Sequence, residues 1–132
     1  MMRGQTSCEV SLTNRTRSRL ISFPFTKAKD EILGKNYELS IVFLGTKAMA
    51  ALNQQYRDKK GPTDILSFTV DKHIGEICIC PIRAAKKAPQ FNESSAVYLK
   101  RLLIHGMLHL KGYEHGSTME RHEEHLRTRF NS

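Results

Sequence analysis

Long apolar runs are missing from this chain. No stretch approaches the roughly 20 residues that cross a bilayer. The opening segment MMRGQTSCEVSLTNRTRSRL holds no continuous apolar run of the kind a secretory leader needs. A cytoplasmic protein with no membrane partner is the expectation. Cysteine is scarce: Cys8, Cys78 and Cys80 are an odd set, and Cys78-x-Cys80 lacks the two-residue gap of zinc knuckles and redox motifs. That excludes a disulfide framework and leaves reduced, buried thiols. Repeats and low-complexity linkers are absent too, so the 132 residues read as one domain, 1–132, with room for a real core. Acid is in deficit, 13 Asp and Glu against 21 Lys and Arg, for a formal charge of +8. The cations fall in groups: Arg15, Arg17 and Arg19; Arg57, Lys59 and Lys60; Arg83, Lys86 and Lys87; Lys100 and Arg101. Such an excess favours a polyanionic partner, nucleic acid ahead of membrane. A surface kept soluble by charge gives the same count.

Apolar residues are present in the proportion of a globular domain, 39% with 26% charged. CEVSLTN (8–14) alternates like a first strand, and a helix is expected over 25–33 with Gly34 at its C-terminal cap. ELSIVFLG (38–45) is a strand by its Ile-Val-Phe-Leu content. Thr46 is placed to cap a helix over 46–60, whose Met49, Leu52 and Tyr56 form one buried stripe before Gly61-Pro62 stops it. DILSFTV (64–70) reads as a half-buried strand. GEICICP (75–81) reads as another, with Ile77 and Ile79 on one face and Cys78 and Cys80 on the other. A short helix RAAKKA is broken by Pro89. Asn92 is then expected to cap a long apolar helix over 93–111 that Gly112 ends. Ser117 with Glu120 three residues on is a capping box for a short final helix. The expected fold is α+β: a small mixed β-sheet packed with helices, with a metal site at the C-terminal end of a central helix.

That metal site rests on HGMLHLKGYEH (105–115). His105 and His109, four apart on the long helix, lie about 40° apart around its axis and reach one ion. Gly112 can reverse the chain and return His115. Three imidazoles leave a fourth position open for water, the mark of a catalytic zinc site. Zinc metalloproteases of the metzincin type share the His-x-x-x-His-x-x-Gly-x-x-His spacing but carry a Glu after the first His. Here that position is Gly106, which cannot take a proton. The carboxylates open as a base are Asp64 and Glu114, each of which also reads as an ordinary capping or surface residue. Nickel, copper and iron accept three imidazoles as zinc does. His122 and His125 read as surface residues of a charged helix.

Three blocks then carry a resemblance. HGMLHLKGYEH resembles the YbeY-family signature His-Gly-x-x-His-Leu-x-Gly-Tyr-Asp-His. LNQQYRDKKGPTDILSF (52–68) is similar to the family's Leu-Asn-x-x-Tyr-Arg-x-Lys-Asp-x-Pro-Thr-Asp-Val-Leu-Ser-Phe, and GEICICP to Gly-Asp-Ile-x-Ile-Cys. The blocks run in the family's order over about residues 38–115. The resemblance implies a bacterial rRNA maturation factor: a single-strand-specific, metal-dependent endoribonuclease acting in 3′-end maturation of small-subunit rRNA and in ribosome quality control. It implies one Zn2+ per chain on His105, His109 and His115, with Arg57 across the cleft from the metal. Glu114 and Glu76 stand where the family has Asp, and Lys60-Gly61 departs from the usual loop. By its own chemistry Arg57 can hold two phosphate oxygens at once, with Lys59 and Lys60 extending a positive track. It can equally be an exposed arginine that suits a helix end. Single-stranded RNA, rRNA and the ribosome or its small subunit are the partners implied. Two other readings stand beside this one. One is a ribosome-associated RNA-binding module with a structural metal; the other is a metalloprotease.

Overall fold

Strand alternation decides the architecture. The computed structural model describes residues 8–58, 61, 63–112, 121, 124–126 and 130. Its elements run β1 (Ser11–Asn14), α1 (Phe25–Ile32), β2 (Glu38–Phe43), α2 (Thr46–Arg57), β3 (Ile65–Asp71), β4 (Ile74–Ile79), α3 (Pro81–Lys87) and α4 (Ser95–Lys111), with a 3₁₀ turn at Ala88–Phe91 before α4. The sheet has the order β1-β2-β4-β3. β1 and β4 pair with β2 in parallel, and β3 pairs with β4 antiparallel. Among the described residues no helix is long and apolar enough to cross a membrane.

Period-two alternation gives the sheet two apolar faces. Leu39, Ile41, Phe43, Ile77 and Ile79 turn to one side, where Ala28 and Ile32 of α1, Ala84 of α3, and Leu103, Ile104 and Met107 of α4 cover them. Leu66, Cys78 and Cys80 turn to the other, against Met49 and Leu52 of α2. The expected split of β4 therefore holds, and the mixed sheet with helices is as expected. Cys78 and Cys80 are buried and all three cysteines are reduced. Burial, then the charge of Glu76, pushes the Cys78 thiol up to about 11, which keeps it inert.

Several boundaries differ from expectation, each for a local reason. The first strand is short because the Val10 N–H is taken by Thr26 Oγ1 (3.2 Å) and the Cys8 N–H by the Lys35 carbonyl (3.0 Å). Gly45, not Thr46, occupies the N-cap of α2, with extended backbone. α2 ends at Arg57 rather than running to 60, because Asp58 turns left-handed (φ 51°). Tyr56 leaves the expected stripe: it is 58% exposed, its ring 5.1 Å from that of Phe68. Asn53 takes the buried position and donates from Nδ2 to the Gly61 carbonyl (2.9 Å). Pro81 opens α3, a position that needs no N–H, instead of ending a strand. Asn92 (φ 56°) closes the 3₁₀ turn, while Ser94 caps α4 by accepting from the Val97 N–H (3.2 Å). Gly34 (φ 105°) and Gly112 (φ 114°) end their helices as expected. Ser117 and Glu120 lie outside the described residues, as does His122; Leu126 and Phe130 are buried in the main core and His125 is exposed.

Candidate active site

α4 presents one face to a cavity of about 730 Å³. Tyr98, Arg101, His105 and His109, spaced by three and four, come round the helix to the same wall. The opposite wall comes from Arg57 at the end of α2 and from Thr63, Asp64, Ser67 and Thr69 on and just before β3; Lys87 joins from the end of α3. Of the expected site residues, then, the fold brings Arg57, Asp64, His105 and His109 together. Lys59, Glu114 and His115 lie outside the described residues.

His105 and His109 are half-buried, with ring centroids 4.6 Å apart and planes at 78°. Their Nε2 atoms stand 3.0 Å apart. At that separation either one ring donates its proton to the other, or two lone pairs turn toward a shared cation. Two zinc–nitrogen bonds of about 2.0–2.1 Å at a tetrahedral angle set the nitrogens about 3.3 Å apart. The pair thus fits two corners of a zinc site within a few tenths of an ångström. Among the described residues no set of three His, Cys, Asp or Glu side chains comes together as ligands.

Gly106 resolves the question its position raised. A Cβ built there meets Ile65 Cδ1 at 2.9 Å, Ile77 Cδ1 at 3.1 Å and Ser67 Oγ at 3.2 Å. Position 106 faces the sheet, and the missing side chain lets α4 lie close on β3 and β4. A longer side chain there would crowd Ile65, Ile77 and Ser67.

Asp64 is 6% exposed. Its Oδ2 accepts from the Tyr98 hydroxyl at 3.1 Å and faces Lys87 Nζ at 3.5 Å, while its carbonyl accepts from the Cys80 N–H at 2.8 Å. Burial, then the Asp64 charge, pushes the Tyr98 hydroxyl up to about 12, so it donates throughout the physiological range. One carboxylate oxygen is thus committed to holding Tyr98 and Lys87 in place. Among the described residues lining the cavity, Arg57, Lys87 and Arg101 are cations and Asp64 is the one carboxylate. The lining is suited to a substrate carrying negative charge.

Lys87, Tyr98 and Arg101 were not among the expected site residues. Nothing in the sequence singles out Tyr98, and the two cations stand there only among the basic groups. The signal that could have found Tyr98 and Arg101 is their place on the helix face of His105 and His109.

Comparison with known proteins follows the same line. The model of a family described as Endoribonuclease YbeY matches residues 5–131. A relative from Finegoldia magna named Endoribonuclease YbeY is 38% identical over 92 residues, covering 64% of this chain and 60% of its own length. One of the same name from Mycobacterium ulcerans is 40% identical over 101 residues, covering 65% of this chain and 57% of its own. This chain thus spans about 60% of the length of these curated relatives. The solution structure of a Thermotoga maritima protein shares the fold, with a TM-score of 0.64 at 23% identity over 90% of this chain and 87% of that one.

Proposed function

The chain belongs to the YbeY family, and from that premise we propose that it is a zinc-dependent endoribonuclease that cuts single-stranded RNA in the cytoplasm. Its work is the 3′-end maturation of small-subunit rRNA and ribosome quality control, on the ribosome or its small subunit. The observation that carries this reading is the cavity itself, with two convergent imidazoles on one wall and Arg57 on the other.

His105 and His109, with His115 completing the set, would hold one Zn2+ per chain. When bound, the ion supplies a Lewis acid and a water whose pKa is lowered toward about 7. The chain's own residues do the rest. Arg57 grips two non-bridging oxygens of the scissile phosphate and neutralises charge that develops there. Lys59 extends the positive track toward the next phosphate. Lys87 and Arg101 hold the strand from the other side, Lys87 oriented by Asp64. Asp64 and Glu114 are the carboxylates proposed to accept a proton. The shared oxygen of Asp64 makes it the better organiser, and its second oxygen is the one open to that task. Gly106 weighs against a peptidase, because the position that carries a metalloprotease's base has no side chain here to take a proton.

The test is cleavage of an end-labelled single-stranded RNA by purified protein, with and without a chelator, beside Arg57→Ala and His109→Ala. Chelation and His109→Ala are expected to abolish cutting. Arg57→Ala is expected to slow it by roughly 10²-fold or more. Circular dichroism should show each variant folded. Equal cutting by folded variants would sink the proposal and leave an RNA-binding module with a structural metal.

A further inference from the structure

We propose that Phe91, backed by Tyr98 and flanked by Arg101, is a stacking platform for one nucleobase of the single-stranded RNA next to the scissile phosphate. The proposal rests on the nuclease reading and supplies a physical device for its single-strand preference. Phe91 is a large ring left 48% exposed, against Tyr98 and Arg101 rather than in a core. It lies on Tyr98 with centroids 5.2 Å apart and planes only 17° from parallel. The Arg101 guanidinium stands over the Phe91 ring, 5.1 Å from its centroid.

The arrangement is held firmly. Phe91 ends the 3₁₀ turn that contains Pro89, and left-handed Asn92 closes it. The Asn92 N–H donates to the Pro89 carbonyl (3.1 Å) and the Glu93 N–H to the Ala88 carbonyl (3.2 Å). The Glu93 carboxylate stands 3.7 Å from Arg101 Nε, which keeps the guanidinium near the ring. An aromatic fixed in this way loses little entropy when a flat ligand settles on it.

Tyr98 and Arg101 also line the catalytic cavity, so platform and cavity are continuous. The combination matches what a single strand offers: a phosphate for Arg57, Lys87 and Arg101, and beside it an unpaired base for a π surface. A base inside a duplex is stacked on both sides and cannot turn out to the ring without breaking its pair. Stacking is indifferent to base identity, so the platform selects strandedness rather than sequence.

The test uses a short single-stranded RNA with one aminopurine base, moved along the strand, and the full metal-loaded chain. Fluorescence is read by rapid mixing before cleavage proceeds, and cleavage of single-stranded against duplex RNA is measured separately. Wild type should quench the probe at one position. Phe91→Ala should lose that quench, bind roughly tenfold more weakly and discriminate less against duplex. Phe91→Trp should keep all three properties. Phe91→Leu still covers Tyr98 but has no π face, so it should behave like Phe91→Ala. Wild-type quench and affinity in Phe91→Leu would overturn the platform, making Phe91 a packing cover. Failure to bind RNA at all would overturn it too. The nuclease reading fails separately: a wild type that cuts no RNA yet loses its quench in Phe91→Ala keeps the platform and loses the nuclease.

Discussion

At the scale of single residues, the Asp64–Tyr98 contact ties stability to the site. Tyr98 is buried, and its hydroxyl is pushed up from 10.0 to about 12, first by that burial and then by the Asp64 charge. A tyrosine whose folded pKa lies above its unfolded one holds its proton more tightly when folded. Its contribution is therefore whole below pH 10.0 and is lost as pH rises through about 12. The denaturant midpoint should fall across that window. In Tyr98→Phe part of the fall should vanish, and at neutral pH the variant should lose about 1–2 kcal/mol, because Asp64 keeps its burial but not its donor. Denaturation followed by circular dichroism at a series of pH values checks both; an unchanged alkaline slope in the variant would refute the assignment. Tyr37, buried with its hydroxyl also pushed up by burial, contributes the same trend in both proteins, so the difference isolates Tyr98. None of this was readable in the chain. The His105–His109 pair was, because four residues on a helix fix a shared face. The partner of Asp64 is 34 residues away, and only the packing of α4 on β3 brings it there.

Elements were legible where a period repeats and illegible where a single residue decides. The alternation of Ile77 and Ile79 against Cys78 and Cys80 survived into two separate cores, since a strand has only two faces. Helix starts at Phe25 and Thr46 survived, but the capping residues of α2 and α4 did not. Asn92 and Ser94 are both good caps by type, and the 3₁₀ turn at Pro89 consumed Asn92. Gly106 was read as the lack of a base, yet at this scale it is a spacing device between α4 and the sheet. Gly106→Ala gains about 1 kcal/mol of helix propensity and loses about 1–3 kcal/mol to crowding. The nearest atom is the flexible end of Ile65, so the net loss should be about 1 kcal/mol. Gly106→Glu should be far worse, by roughly 3–5 kcal/mol, since it buries a charge with no partner. Thermal melts of the two variants decide this. A Gly106→Glu protein as stable as wild type would mean that position 106 does not face the sheet.

For the whole molecule, net charge was legible but its focusing was not. The sequence arranges cations by neighbourhood in the chain, and the fold redistributes them. The cavity draws Arg57, Lys87 and Arg101, one from each of three groups, while Arg19 of the first group lines a separate groove beside Ile82 and Leu99. A formal charge of +8 spread evenly would attract RNA to the whole surface. Three cations converging on one cavity make a smaller and countable claim. Each phosphate neutralised on a single strand contributes about 0.7 to the slope of log affinity against log salt. These three contacts therefore contribute about −2 to the slope, to which Lys59 adds, and Arg57→Ala should reduce its magnitude by about 0.7. Titrating a labelled single-stranded RNA across a range of potassium chloride concentrations measures both values. Unequal effects within the basic groups follow from the same geometry: Arg57→Ala and Arg101→Ala should each flatten the slope, whereas Arg19→Ala, outside the cavity, should leave it unchanged. Equal flattening by all three would mean that RNA reads the diffuse charge of the surface and that the cavity is not its seat.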